Sequence, residues 1–571
     1  MMRPAPSPKH IPSIIILIAV SLLAGYLSWH DDSITDDQIQ LLTSLKANNA
    51  NFAGDGIYDH HIVGGQFHHM HSIAFAGLIR AVNRICPANA SPEMPMRLLV
   101  GPITLLFLLG MYALLWRQTM SSATSTFVAV LSTTMMSTFD GWHWGVGAIS
   151  SITPEGLVVA ISPLLMLAYL KYFNDRRIVL IFMLMGLCGN IDIVSSINMA
   201  LVAMLTFLAC HRFNRQAMAV GVSGVFLFMI GALPNISHLL MVHAQIEQAV
   251  GQVAPIDFAT VMRAFDMSYY EVTYPELLMP LWQWGLYPLT LAAVSLVVLW
   301  RLDKFRSQFI DMWVWMSISS LIVMLGFHAL ATAAAYLTRQ PLPFYVFLQA
   351  SCWLMLPLYV LFARALTQVF RILEKKYRHL LRWVMAGVIV GWMLPSDALR
   401  PARYGLYRLA AMTPIGQNSL KINDIMERKA KRQELVNIAR WQNKNCVNSF
   451  VYIDDPKYRL NSGQAILTCR EDFIYYYLLL PSQLQQWMDN LHETRKILAR
   501  PLNIQELTND AIKRVSVIPQ ISQVYIITSD KEIADNPQNL QEIKSDNWGK
   551  YWKIYRIPLS NPNPKISEYR A

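Results

Sequence analysis

The sequence has little charge and few cysteines for its length. Only 15% of its 571 residues are charged, whereas 54% are hydrophobic, and its mean hydropathy is +0.31. Soluble domains carry about 25% charged residues, so this composition excludes an ordinary soluble protein. The six cysteines contain no C-x-x-C pair, which argues against a metal-thiolate centre. The spacing of Cys446 and Cys469 leaves open whether they form a disulfide.

Long apolar runs dominate the first 397 residues. Eleven segments are predicted to span a membrane, most of them near the twenty residues that cross about 30 Å of hydrocarbon. They are residues 11–29, 98–116, 123–139, 155–170, 178–189, 192–210, 217–233, 284–300, 309–330, 343–366 and 381–395. The fifth is short and runs into the sixth, which predicts a tight helical pair or, alternatively, a re-entrant loop. The first segment lacks a small-residue cleavage site, which indicates a retained anchor.

Basic residues cluster in every second loop between these segments. The positive-inside rule therefore predicts a cytoplasmic N-terminus and an extracytoplasmic (periplasmic) tail, in a multi-pass protein of the cell's inner membrane. Much of the net charge of +11 lies in these short loops, so we expect no nucleic-acid partner. The clusters are Arg3 and Lys9, Arg117, Lys171 with Arg176 and Arg177, Arg212 with Arg215, Arg301 with Lys304 and Arg306, and Arg371 to Arg382.

Two long outer loops and a polar tail complete the chain. The outer loops are residues 30–97 and 234–283, and the apolar spacing within 62–85 and 256–274 predicts interfacial helices. The tail, residues 398–571, has a helical stretch at 422–443 and β-like runs at 449–453, 515–528 and 551–557. The predicted fold is mainly α: a polytopic bundle of about 11 transmembrane helices over residues 1–397, with a C-terminal extracytoplasmic α/β domain.

The densest polar cluster lies in the first outer loop. Asp55 stands between two glycines, a setting that suits a general base, and Asp59 is the second candidate. An ordinary Asp-Gly turn and a helix cap are the alternatives for these residues. His68 and His71 are one helical turn apart and are candidate ligands for a divalent metal ion, although phosphate contact or a surface role explains them equally well.

Other polar groups fall at the predicted outer ends of the spans. Carboxylates near hydrocarbon are costly unless paired, which makes Asp140, Glu155 and Asp192 candidates for substrate binding or, alternatively, helix caps. The aromatic and histidine neighbours of Asp140 suit a sugar ring as well as they suit membrane anchoring. Arginine on the outer side suits a lipid phosphate. These further candidates are Trp142, His143, Trp144 and Arg339.

The layout of one span, a long acidic outer loop, many further spans and an outer soluble tail resembles the GT-C glycosyltransferases. The segment Phe52-Ala53-Gly54-Asp55-Gly56-Ile57-Tyr58-Asp59 is the part that corresponds to the acidic loop of that superfamily. The resemblance implies that Asp55, and after it Asp59, activates an acceptor hydroxyl, and that the donor is a sugar on a polyprenyl phosphate. Many members carry their acidic pair directly after the first span, where this chain has Asp31 and Asp32.

The sequence thus favours a membrane glycosyltransferase. The expected partners are membrane lipid, a polyprenyl-phosphate-linked sugar, and a glycan, lipid or protein acceptor. Arg339 or a histidine-bound cation would stabilise the departing lipid phosphate. A polysaccharide or lipid exporter or flippase is one alternative, and a non-catalytic membrane scaffold is the other. The tail lacks a glycine-rich phosphate loop and a G-x-S-x-G motif, so a binding or covering role suits it better than catalysis.

Overall fold

A computed structural model gives the structure of this chain. It describes residues 10–31, 33–46, 52, 55, 72–87, 90–133, 146–250, 258–268, 286–302, 308–338, 347, 350–393, 399–446, 448–473, 476–477, 483–499, 511–513, 518, 521–528 and 540–557.

Helices make up most of the described chain. Those of the first 250 residues are α1 Ile11–Ser28, α2 Asp36–Lys46, α3 Ile73–Ile85, α4 Met94–Thr119, α5 Ser122–Ser132, α6 Pro154–Tyr172, α7 Ile178–Cys188, α8 Ile193–Cys210 and α9 Arg215–Val250. Those that follow are α10 Phe258–Ser268, α11 Leu286–Leu302, α12 Gln308–Leu321, α13 His328–Thr338, α14 Ala350–Met393, α15 Arg400–Ala411, α16 Pro414–Gln417, α17 Leu420–Asn445, α18 Pro456–Ser462 and α19 Leu484–Ala499. A π-helical segment, Ile322–Phe327, joins α12 to α13.

The first helix shows why this chain belongs in a membrane. α1 buries Ser13, Ser21 and Ser28 against its neighbours and turns isoleucines and leucines outward, with Leu22 68% exposed. The buried hydroxyls are bonded, for example Ser13 Oγ to Ser122 Oγ at 2.6 Å. A helix with its apolar side outward is stable only where the surroundings are apolar. The chain is a multi-pass membrane protein.

Seven described helices are long and apolar enough to cross a membrane. They are Ile11–Ser28, Met94–Thr119, Pro154–Tyr172, Ile193–Cys210, Arg215–Val242, Ile310–Ala331 and Trp353–Leu373. Helices α5 and α7 are apolar but shorter, and α11 covers the predicted span at 284–300. The predicted tight pair is present, because α7 and α8 are separated only by the turn at residues 189–192.

The sequence and the structure differ at two predicted spans. Residues 343–366 and 381–395 were expected to be two spans around a basic loop, but α14 runs without a break from Ala350 to Met393. Its 44 residues measure about 66 Å, twice the hydrocarbon thickness. The basic segment that resembles a loop is therefore part of a helix. Likewise, α9 continues through Pro234 to Val250, beyond the predicted end of its span at residue 233.

Helices α7 and α9 approach each other so closely that their backbones touch. A Cβ atom on Gly186 would lie 2.1 Å from the carbonyl oxygen of Phe228, and one on Gly231 would lie 2.4 Å from the carbonyl oxygen of Met183. Only glycine leaves room for this packing. Within lipid the hydrophobic effect does not drive helices together, so close packing of this kind stabilises their contact. The glycines thus fix the distance between these two helices.

The side chain of Asn190 bonds to the backbone of α9 at the same level. Its Nδ2 donates to the Gly231 carbonyl at 3.0 Å, and its Oδ1 accepts from the Asn235 backbone N–H at 3.0 Å. These two backbone groups are four residues apart, about one turn of the helix. Asn235 in turn donates to Gly189 O and accepts from Ile73 N, the first residue of α3. One pair of amides therefore joins the α7–α8 turn, α9 and the start of α3.

The chain forms two compact units. Unit 1 comprises residues 1–34, 72–238 and 271–405, and unit 2 comprises 35–71, 239–270 and 406–571. The predicted division was at residue 397, so the structure assigns parts of both outer loops to the unit that contains the tail. Residues 35–71 and the tail therefore lie in one compartment. Within unit 2, α2 contacts α18 and α10 contacts α19.

Unit 2 contains a five-stranded mixed sheet, as the α/β prediction for the tail requires. Its strands are β1 Ser449–Tyr452, β2 Ala465–Ile466, β3 Gln523–Thr528, β4 Gln541–Ile543 and β5 Lys553–Ile557, in the order β2-β1-β3-β5-β4. β1 is parallel to β2 and β3, whereas β5 is antiparallel to β3 and β4. Apolar clusters cover both faces: Phe450 and Ile526 belong to one, and Val451 and Ile527 to the other.

Candidate functional site

The first-choice sequence candidate, Asp55, lies in the interior of unit 2. Its Oδ2 accepts from Arg459 Nε at 2.8 Å and from the backbone N–H of Ile466 in β2 at 3.0 Å. Arg459, on α18, also donates from Nη1 and Nη2 to the two carboxylate oxygens of Asp472 at 2.8 and 3.0 Å. None of the three residues is more than 1% exposed. We call Asp55, Arg459 and Asp472 the buried triad.

The buried triad holds one cation between two carboxylates. Burial lowers the pKa of Arg459. The carboxylates of Asp472 and Asp55 raise it by more than burial lowers it, so the pKa of Arg459 lies well above its usual value. Burial also raises the pKa of the neighbouring Tyr476 phenol, and Asp472 and Asp55 add to that rise. The guanidinium and the phenol therefore stay protonated throughout the physiological range. A fixed cation beside Asp55 stabilises its carboxylate and weakens it as a base.

This setting corrects one premise of the sequence analysis. The carboxylate of Asp55 was expected to face water, but it is fully buried and ion-paired, because α18 and β2 close over it. The arrangement positions a chain segment from the first loop against the tail. The catalytic role of Asp55 stays a prediction, and the structure supports a structural role more directly.

A second group of charges lies where α1 ends and α4 begins, in unit 1. Arg97 Nη1 donates to the carbonyl of Trp29 at 2.6 Å, and its Nη2 donates to Glu93 Oε2 at 2.7 Å. Two residues after Trp29, Asp31 is 3% exposed, and its Oδ1 accepts from the hydroxyl of Ser33 at 2.6 Å. Glu93 is 6% exposed. We call Asp31, Glu93 and Arg97 the outer carboxylate cluster.

The outer carboxylate cluster combines carboxylates, which can act as bases, with a guanidinium, which can bind phosphate. It places two buried carboxylates and one guanidinium at the end of the first two spans. The side chain of Arg97 remains 16% exposed, and its buried Nε has no hydrogen-bond partner among the described residues. The predicted topology assigns this end of the spans to the extracytoplasmic side. The ion pair with Glu93 also explains why an arginine is found there, against the positive-inside rule.

Two further candidates begin helices in unit 1. Asp192 is the N-cap of α8, and its Oδ2 accepts from Ser195 N at 2.8 Å, so the capping alternative describes its contact. Glu155 is in the first turn of α6, where a negative charge suits the helix dipole, and Thr153 supplies the cap by accepting from Gly156 N at 3.1 Å. Both are partly exposed. Their predicted part in substrate binding stays a prediction.

The remaining candidates lie outside the described residues. They are Asp59, His68, His71, Asp140, Trp142, His143, Trp144 and Arg339. Within the part of the chain that the structure describes, no group of three or more histidine, cysteine, aspartate or glutamate side chains is arranged to hold a metal ion. Cys446 and Cys469 are both buried and are not joined to each other by a disulfide. Cys446 Sγ donates to the Tyr525 hydroxyl at 3.3 Å, and Cys469 Sγ donates to Asp472 Oδ1 at 3.1 Å.

Sequence reasoning missed the partners of these charges. Arg459 and Asp472 are separated from Asp55 by about 400 residues, and no local pattern connects them. Arg459 carried only a weak signal, as an arginine in a polar segment shortly after the predicted strand at 449–453. Glu93 and Arg97 carried a clearer one: they are four residues apart at a helix start, the spacing of an i, i+4 ion pair.

No family model matches the sequence, and no curated protein matches it. Among solved structures, the chain is similar to the archaeal oligosaccharyltransferase AglB from Archaeoglobus fulgidus, in complex with an inhibitory peptide and a dolichol-phosphate. The identity is 12%, the match covers 92% of this chain and 70% of that chain, and the TM-score is 0.42. This similarity is a distant one.

Proposed function

We propose that this chain is a membrane glycosyltransferase that transfers a sugar from a polyprenyl-phosphate donor to an acceptor hydroxyl on the extracytoplasmic face. The observation that carries the proposal is the outer carboxylate cluster: a buried carboxylate next to a partly exposed guanidinium where the first two spans end. A lipid-linked sugar presents its phosphate at this level of the membrane, and its isoprenoid chain lies in the hydrocarbon beside the spans.

The proposed step is one displacement at the anomeric carbon. A carboxylate takes the proton of the acceptor hydroxyl while the acceptor oxygen bonds to the anomeric carbon, and the bond from that carbon to the phosphate oxygen breaks. The lipid phosphate leaves with the bonding electrons, and a guanidinium stabilises its charge. Asp31 is the first candidate base because it is buried where the first span ends, where its Oδ1 accepts from the Ser33 hydroxyl and N–H, whereas Asp55 is held by the guanidinium of Arg459 in unit 2. Arg97 is the candidate for phosphate.

The alternatives kept open by the sequence differ in their consequences. An exporter or flippase moves the lipid-linked sugar without breaking its phosphate ester, and a scaffold does neither. Deleting the gene in cells that make such sugars distinguishes them. Mass spectrometry of lipid extracts is expected to show accumulation of one prenyl-linked sugar on the extracytoplasmic leaflet, together with loss of that sugar from surface glycans.

Carboxylate variants then test the mechanism. Removal of a general base slows transfer by about 10²–10⁴-fold. We expect Asp31→Asn to show that loss at an unchanged melting temperature, and Asp424→Asn, an exposed carboxylate paired with Arg428, to keep full activity. Retained transfer in a triple Asp31→Asn, Asp55→Asn, Asp59→Asn variant would rule the proposal out. Loss in Asp55→Asn alone, without destabilisation, would make Asp55 the base.

A further inference from the structure

A small cavity lies at the other end of the spans in unit 1. Its volume is about 140 Å³, and it lies between the α6–α7 loop and the α8–α9 loop. Phe173 and Phe207 form its apolar wall, and Asn174, Arg176 and Asn214 line its mouth. We call this cavity the loop pocket. It is separated from the outer carboxylate cluster by the length of α6 and α8, and it takes no part in the proposed transfer.

The wall of the loop pocket is a rigid stack of rings. The rings of Phe207 and His211 are 4.3 Å apart between centroids, and those of Phe173 and His211 are 5.2 Å apart. His211 Nδ1 is hydrogen-bonded to the carbonyl of Phe207 at 2.9 Å, which fixes the ring. A carbonyl only accepts, so Nδ1 carries a proton, and Nε2 is the ring nitrogen left to meet a ligand.

The charge around the loop pocket is strongly positive. Lys171, Arg176, Arg177, Arg212 and Arg215 lie in or beside the two loops, and Asp175 is the one acidic residue in segments 171–177 and 211–217. Asp175 does line the cavity, but its Oδ1 accepts from the Arg177 N–H at 2.9 Å and its Oδ2 lies 3.9 Å from Arg177 Nε. Asp175 is thus paired with its own neighbour, and four other cations of these segments remain. Among the described residues one further carboxylate, Asp311 in the first turn of α12, lies near Cys210 at the end of α8.

The backbone of the second loop is strained where these cations are found. Arg212 and Phe213 have φ of +52° and +51°, in the left-handed region that favours glycine. Neither residue is suited to such a turn, and strain of this kind is typical of functional loops. The turn leaves Phe213 57% exposed, and Asn214 Oδ1 begins α9 by accepting from Ala217 N at 2.7 Å. An exposed phenylalanine beside arginines suits the boundary between hydrocarbon and head groups.

Positive loops at this end of the spans set the orientation of the chain, but orientation requires only charge. It does not require a cavity with a polar mouth, a fixed histidine or a strained turn. From these features together we propose that the loop pocket binds a phosphate group, such as that of an anionic lipid head group. Arg176 in the lining and Arg212, next in the chain to the lining residue His211, are the guanidinium donors. Inorganic phosphate is the alternative source of the same chemistry.

The test uses the full chain in nanodiscs of phosphatidylcholine with or without phosphatidylglycerol, read by native mass spectrometry after release into detergent. We expect retained phosphatidylglycerol on the native chain and about a tenfold loss for each guanidinium removed in Arg176→Gln and Arg212→Gln, the effect of about one charge-assisted hydrogen bond. Arg117→Gln is the matched control, because Arg117 is an exposed cation in the last turn of α4, a helix that contributes no residue to the pocket lining.

A second variant tests the cavity itself and guards against misfolding. Gln216 lines the pocket and is exposed, so Gln216→Trp fills the space and leaves the charge unchanged. We expect the same loss of lipid, with an unchanged melting temperature. Titration with inorganic phosphate distinguishes the sources: saturable binding of phosphate that competes with lipid supports the shared site. Equal loss in Arg117→Gln, or lipid retention unaffected by Gln216→Trp, would overturn the proposal.

Discussion

At the scale of single residues, the buried triad is asymmetric in charge. It contains two carboxylates and one guanidinium, so removing one carboxylate leaves a balanced pair, whereas removing the guanidinium leaves two like charges in the interior. Breaking a buried pair costs about 3–5 kcal/mol when an uncompensated charge remains. The three residues are therefore not equivalent, although all are equally buried.

This asymmetry gives the first prediction. Arg459→Met is expected to lower the free energy of unfolding by about 3–5 kcal/mol, and Asp55→Asn by less, because asparagine keeps an oxygen for the Ile466 N–H. Thermal unfolding of the full chain in detergent measures both. Arg428→Met, which breaks an exposed pair with Asp424, is the control and costs about 0–1 kcal/mol. A native melting temperature for Arg459→Met would show that the triad contributes nothing to stability.

The second prediction concerns pH and Asp455, the N-cap of α18. Burial raises the pKa of Asp455 above its ordinary value, although hydrogen bonds from Lys457 and Tyr458 N–H oppose the rise. The folded state therefore binds more protons than the unfolded state in the window between the two pKa values. Stability falls as pH rises through that window. The charge on Asp455 is thus a cost at neutral pH.

Asp455→Asn keeps an oxygen for the cap and removes this charge. We expect its melting temperature to equal that of the native chain below about pH 3.9 and to exceed it at neutral pH. Asp455→Ala, which loses the cap, should be less stable by about 1 kcal/mol. Melting curves across this pH range measure the difference. A constant offset between Asn and Asp chains would contradict the expected titration.

At the scale of elements, the contact between α7 and α9 depends on the absence of side chains. A methyl group on Gly231 would meet backbone atoms, which cannot move aside as a flexible side chain can. Gly231→Ala is therefore expected to separate the two helices and destabilise the bundle by about 1–3 kcal/mol. Gly77→Ala on α3 is the matched control, because nothing lies within 4 Å of the added atom there.

Unfolding in mixed detergent and sodium dodecyl sulfate, followed by gel filtration, measures both glycine variants. Since alanine is the better helix former, Gly77→Ala should be neutral or slightly stabilising. The same stability for the two variants would mean that the backbone contact between α7 and α9 adjusts freely.

Most elements could be predicted from the sequence because their signals are local. Apolar runs mark α1, α4, α6 and α8 within a few residues, and alternating apolar residues mark β1, β3 and β5. The continuous helix α14 could not be predicted, because its basic stretch has the composition of a loop while its helical backbone depends on the whole fold. The triad could not be predicted either, because it joins segments of unit 2 that are distant in the chain. Of the three residues of the buried triad, the sequence indicated only Asp55.

At the scale of the molecule, unit 2 fixes which parts of the chain share a compartment. The first loop and the tail meet in the buried triad, so Asp55 and Arg459 lie on the same side of the membrane. With the predicted topology, cysteines placed at the exposed positions Arg84 and Lys421 should react with an impermeant maleimide from the extracytoplasmic side. A cysteine at Arg117 should react only after the membrane is opened. Labelling of Arg84 and Lys421 from opposite sides would contradict the predicted topology.

The distance between Asp55 and Arg459 along the chain also governs biosynthesis. They are 404 positions apart, and ribosomes add about 5–20 residues per second. Roughly 20–80 s therefore pass between the synthesis of Asp55 and that of Arg459, while the intervening helices enter the bilayer. A nascent chain that stops before residue 459 would hold inserted helices and an unclosed first loop, a natural target for quality-control proteases. Closure of unit 2 follows the synthesis of Arg459 and of the later strands of its sheet.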